Sequence, residues 1–154
     1  MTHHIARFLL LALVFASVGV HAQEMNADIY GKWKIKAMIG GGIGSLTDQQ
    51  ARQLIGKSLT ISAERFEFDG HICLNPNYQR SKEDPDTYFD REWRTDVSDI
   101  PFPKPMTIIE ITDCDKVYPI RKDRLMVTRD GGFFEAVRVK SGAGKPIGGT
   151  AKKP

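Results

Sequence analysis

The stretch YGKWKIKA, Tyr30 to Ala37, alternates without interruption: Trp33, Ile35 and Ala37 face one way, and Lys32, Lys34 and Lys36 face the other. A period of two marks a strand with one buried face. The lysine row has two readings, a basic binding patch or a solvated outer face whose charge discourages pairing with a second sheet edge. The solvated face is the expectation here.

Outward from this strand the β pattern continues. Ile39 to Gly44, IGGGIG, is too rich in glycine for regular structure, and SLTDQQARQLIG follows it. In that segment Thr47 and Gln50 form a capping box, with Leu46 and Ala51 as its staple. Leu54 and Ile55 bury one face, and Gly56 supplies a left-handed stop. This predicts a helix of about two turns. KSLTIS, RFEF and HICL then read as strands, with Asp69-Gly70 as a hairpin turn. Gln79 to Asp86 reads as a charged loop and TYFDREW, Thr87 to Trp93, as a further strand. IPFPKP, with its three prolines, is an extended connector. MTIIEITDC, KVYPI, RLMVTR and FFEAVRV complete the set, the last two joined by Asp130-Gly131-Gly132. The expected fold is mainly β: an antiparallel barrel or sandwich of about eight strands with one short helix near the N-terminus.

Not all of the 154 residues belong to that domain. Met1 to Ala22 has a positive start, an apolar run from Phe8 to Val20 and a small-x-small exit at Val20-His21-Ala22. Those are the parts of a secretory signal peptide, and the run is too short to span a bilayer. Residues 23–28 form a polar lead-in, 29–140 a single β-rich domain, and 141–154 a flexible basic tail carrying Lys145, Lys152 and Lys153. Cleavage leaves no membrane span and places the domain in the periplasm or outside the cell. It leaves 21 basic against 19 acidic residues, a balance that excludes a nucleic-acid binder with a concentrated basic stripe.

Gly31-Lys32-Trp33 on the opening strand and Arg138 on the last resemble the calycin pattern shared by lipocalins. The resemblance implies that Trp33 packs beneath Arg138 to close a barrel floor, and that the barrel holds a small apolar ligand in a pocket open at the other end. The chain is also similar to small exported proteobacterial proteins of unassigned function, a likeness of location and size.

The chemistry turns on His71-Ile72-Cys73. His71 is the one histidine left after cleavage, and Cys73 and Cys114 are the only cysteines. In an oxidising compartment two cysteines read as a disulfide. A zinc site needs about four ligands. His71, Cys73 and Cys114 supply three, with Asp113 or Asp115 for the fourth, and oxidation competes with that set. A His71-dependent hydrolase requires a nucleophile within reach of the imidazole, and no Gly-x-Ser-x-Gly elbow is present. Gly56-Lys57-Ser58 and the Gly40 to Ser45 loop lack the context of phosphate-binding motifs and read as turns. Carboxylates at Glu64, Glu67, Asp69, Asp84 and Asp86 show no cleft. The segment with Tyr88, Phe89, Arg91 and Trp93 has the aromatic and arginine content of an interface. The expectation is an exported binding protein with no catalytic residues, metal or cofactor, holding a small apolar ligand among Trp33, Ile35, Phe66, Phe68 and Val127. The alternative is a protein-binding module or an inhibitor acting on an envelope enzyme.

Overall fold

The computed structural model describes residues 26–44 and 46–140. The signal peptide and the basic tail of the sequence reading lie outside them. Nine strands form one curled, barrel-like antiparallel sheet: β1 Gly31–Gly41, β2 Ser58–Ile61, β3 Arg65–Phe68, β4 His71–Leu74, β5 Tyr78–Glu83, β6 Met106–Ile111, β7 Asp115–Arg121, β8 Arg124–Arg129 and β9 Gly132–Arg138. Among the described residues there are two helices, α1 Asp48–Leu54 and α2 Pro85–Trp93. No helix among the described residues is long and apolar enough to cross a membrane.

The strand order is β4-β3-β2-β1-β9-β8-β7-β6-β5, so β1 joins both halves of the sheet and β4 and β5 are its two edges. Every ladder is antiparallel. Counting reversals from β1, β4 and β5 therefore run in the same direction. Parallel neighbours need a crossover of about a dozen residues or more, yet only Asn75, Pro76 and Asn77 separate these two strands. They are the two halves of one kinked strand. Asn75 sits at φ 49°, and Pro76 has no N–H to give a ladder. The N–H of Asn75 still donates to Glu64 O (2.8 Å) on the β3 side, whereas Asn77 O accepts from Thr112 N (3.0 Å) on the β6 side. Within three residues the chain passes from one edge of the sheet to the other, so the two edges are joined by chain continuity and not by a ladder.

The apolar pattern explains which faces are covered. Inward side chains such as Trp33, Leu59, Phe66, Phe68, Val127 and Phe134 form one core cluster inside the curl. Strands β1 to β3 turn polar residues outward, as alternation predicts. Strands β6 to β9 are apolar on both faces, the pattern of a doubly buried sheet. Met106, Ile108, Tyr118, Met126 and Phe133 point outward into a second cluster, which α2 and the connector after it cover through Phe89, Val97, Ile100 and Phe102. Phe89 lies 5.6 Å from Phe102 and 5.3 Å from Phe133, ring centre to ring centre.

Four expectations are corrected. Thr87 to Trp93 is helical, not extended: Asp84 caps it by accepting from Thr87 N (3.0 Å), Pro85 occupies its first turn, and Arg94 ends it at φ 49°. Gln79 to Glu83 is the paired edge strand β5, not a loop; its charged side chains suit an edge. The first change turns a strand into a second helix and the second adds a strand, so among the described residues there are two helices where one was expected and nine strands where about eight were. Finally, β-bulges between Ile35 and Ala37 and between Met38 and Gly40 break the alternation of β1, and Ala37 lines a surface depression instead of joining the inner core. The helix α1 matches its sequence reading, capping box included, except that Ala51 and Leu54 form its buried face and Ile55, just past its end, is exposed.

Candidate functional site

Trp33 and Arg138 are cross-strand partners, and the guanidinium lies 4.1 Å above the centre of the indole. Trp33 Nε1 donates to Ile29 O (2.9 Å), and Arg138 Nε donates to Asp123 Oδ1 (2.8 Å). The other two guanidinium nitrogens donate to the backbone carbonyls of Tyr30 and Asp28. Gly31 has φ 140°, and a Cβ there would meet Arg138 Nη1 at 2.8 Å. The arginine thus ties the last strand to the N-terminal turn. Part of the polar lead-in is held in the fold: Asn26 is buried and accepts from Arg80 Nε (2.9 Å), and Asp28 pairs with the same arginine.

The rim beside the seam between β4 and β5 gathers the candidate chemical groups. Cys73 on β4 and Cys114 in the β6–β7 turn are joined across the seam, with Cα atoms 6.2 Å apart. A little further along the kinked strand, Tyr78 donates to Ser62 O (2.7 Å). His71 and Cys73 point to one side of β4, bringing His71 Nε2 to 3.5 Å from Cys73 Sγ. Asp69 pairs with Lys57 and lies 3.7 Å from Arg129 Nε. Burial pushes the Asp115 carboxyl up to about 6, against the Lys116 backbone N–H and the charges of Arg129 and His71, which pull it down. An imidazole, a carboxylate and a guanidinium therefore interact beside the disulfide. The sequence already offers Asp115 beside His71 as a fourth ligand; Arg129 has no such signal, because only the sheet brings β8 to this place.

Other candidates resolve into structural roles. Glu67 pairs with Arg65 (2.9 Å), Asp84 caps α2, and Asp86 pairs with Lys104 (2.5 Å). The aromatic–arginine segment is not an exposed contact surface. Tyr88 and Phe89 are core residues, and Trp93 packs edge-on against Phe133 at 5.3 Å. Of the four residues expected to make a contact only Arg91 is exposed, and it pairs with Glu83 and Glu92 (2.9 Å each).

The inner positions expected to hold a ligand, Trp33, Ile35, Phe66, Phe68 and Val127, are each no more than 2% exposed and belong to one contiguous cluster. Two open depressions lie on the surface. One, of about 350 Å3, lies between β1 and α1 and is lined by Lys36, Ala37, Met38, Ala51, Arg52 and Ile55. The other, of about 270 Å3, lies beside Ile39, Ile100 and Ile120. No family model, no curated protein and no solved structure matches this chain.

Proposed function

We propose that the protein is an exported binding module that holds an extended, acidic segment of another envelope protein on the outside of its barrel. The filled interior carries this reading. A carrier needs space where Phe66, Phe68, Trp33 and Val127 already pack against one another.

The surface between β1 and α1 offers what an extended partner needs. β1 pairs with β2 only through Gly31 to Lys34, whereas β9 accompanies its second half. Among the described residues, Lys36 to Gly41 has no ladder partner on its other side. A peptide can add there by main-chain hydrogen bonding, with side chains settling into the flanking depression. Lys32, Lys34, Lys36 and Arg52 form no ion pair among the described residues, and Met38 and Ile55 give the depression an apolar floor. Asp48 is the one acidic residue lining it. That balance favours a partner carrying Asp or Glu.

Two measurements test the proposal. Native mass spectrometry of the processed protein should give the bare chain mass; a retained small apolar molecule would restore the carrier reading. Extended acidic peptides should bind in fluorescence anisotropy and protect the amides of residues 36–41 from hydrogen exchange. Arg52→Glu with Lys36→Glu should abolish both effects in a folded protein. Equal binding by that variant would remove the groove from the account.

A further inference from the structure

We propose that reduction of the Cys73–Cys114 bridge converts it into a zinc site formed by the two cysteine sulfurs and His71 Nε2. This inference is independent of the groove. The three donor atoms lie within 4.8 Å of one another. A tetrahedral zinc with sulfur at about 2.3 Å and nitrogen at about 2.0 Å sets its S and N ligands roughly 3.5 Å apart. The His71 Nε2 to Cys73 Sγ separation is already 3.5 Å. The sulfurs need to part to about 3.8 Å for the same geometry. That displacement is within reach of side-chain rotation about Cα atoms 6.2 Å apart.

The donor set suits the ion. Two thiolates neutralise Zn2+, and neutral imidazole adds no charge. His71 is exposed and the two cysteines are half-buried, so the ion has an entry path and a fourth position open to water. Asp69 and Asp115 add negative potential at this rim, while Arg129 and Lys57 oppose it. Because Cys73 precedes the kink and Cys114 belongs to the far side of the seam, the zinc would bridge the same gap as the covalent bond. The chemistry balances with a dithiol reductant. It gives two electrons and two protons to the S–S bond and closes to its own disulfide. The two protein thiols then lose two protons as zinc binds the dithiolate.

The test uses the processed full chain, oxidised or reduced with a phosphine, titrated with Zn2+ against a chromophoric chelator and with Co2+ as a spectroscopic probe. The reduced protein should bind one ion per chain and show an intense sulfur-to-cobalt charge-transfer absorption, and the oxidised protein should show neither. Removing an outer partner of a metal ligand typically weakens binding about 10- to 100-fold, so His71→Ala, which loses a ligand, should weaken it by at least about tenfold. Circular dichroism checks that this exposed-site variant remains folded. Binding by the oxidised protein at the same affinity, no binding by the reduced protein, or an unchanged affinity in reduced His71→Ala would each overturn the proposal.

Discussion

The seam between β4 and β5 has no ladder, so the bridge across it should carry a large share of the stability. Cys73→Ala with Cys114→Ala tests this. The bridge spans a sequence separation of 41 residues. In the chain-entropy treatment, closing a loop of that length removes about 13 cal/mol/K from the unfolded chain, or about 4 kcal/mol at 25 °C. A small domain has roughly 5–15 kcal/mol in total. For the roughly 115 residues of this domain the loss corresponds to a fall in Tm of about 15 °C. Urea unfolding followed by tryptophan fluorescence should show the lower midpoint. It should also show a steeper slope, because the unlinked unfolded chain exposes more surface. A loss below about 1 kcal/mol with an unchanged slope would mean that the bridge does not hold the seam. The kink, Tyr78–Ser62 and the Arg80 contacts would then suffice to hold it.

Arg138→Met removes the cation over Trp33 and leaves the carbonyls of Tyr30 and Asp28 short of donors. It should lower urea stability by about 2–4 kcal/mol, and Arg138→Lys should recover only part of that. Asp115 gives a pH dependence of definite sign. Its carboxyl is raised from 3.8 to about 6 in the fold, so the folded state binds the proton more tightly than the unfolded chain. The contribution of Asp115 to stability is therefore fullest below about pH 4 and is lost as pH rises through 6, by an amount on the order of 3 kcal/mol. Unfolding at a series of pH values should show Asp115→Asn without this loss and more stable than the parent above pH 6. Phe89→Ala opens a cavity in the outer core and should cost about 3–5 kcal/mol by calorimetry. Peptide binding in the β1–α1 groove should survive in the fraction that remains folded.

The sequence made the inner strands and α1 readable because one buried face leaves a clean period in the chain. The alternation of Trp33 and Ile35 with the lysines is local information, as is the Thr47–Gln50 capping box. α2 carried an equally local signal, Asp84 before Pro85 with Pro85, Tyr88 and Phe89 at helical spacing. Its aromatic content suggested a strand because aromatics suit strands when nothing else is known. β5 was illegible for the opposite reason: an edge strand held by backbone bonds shows no apolar alternation. Its pairing with β6 depends on a hand-over at Asn75 to Asn77 that only the folded sheet displays. The rim behaves in the same way. His71 and Cys73 could be paired from their spacing on one strand. Asp115 follows Cys114 in the chain and is offered with them as a ligand, but Arg129 joins them only because β8 comes round the curl.

The filled interior is the claim that separates an outer binding surface from a carrier, and Val127→Trp probes it directly. Val127 is fully buried on β8, opposite Phe134 of β9. If those side chains leave no room, the added indole must displace them and should lower urea stability by about 1–3 kcal/mol or more. A variant as stable as the parent, with the new indole housed inside the barrel, would contradict the account.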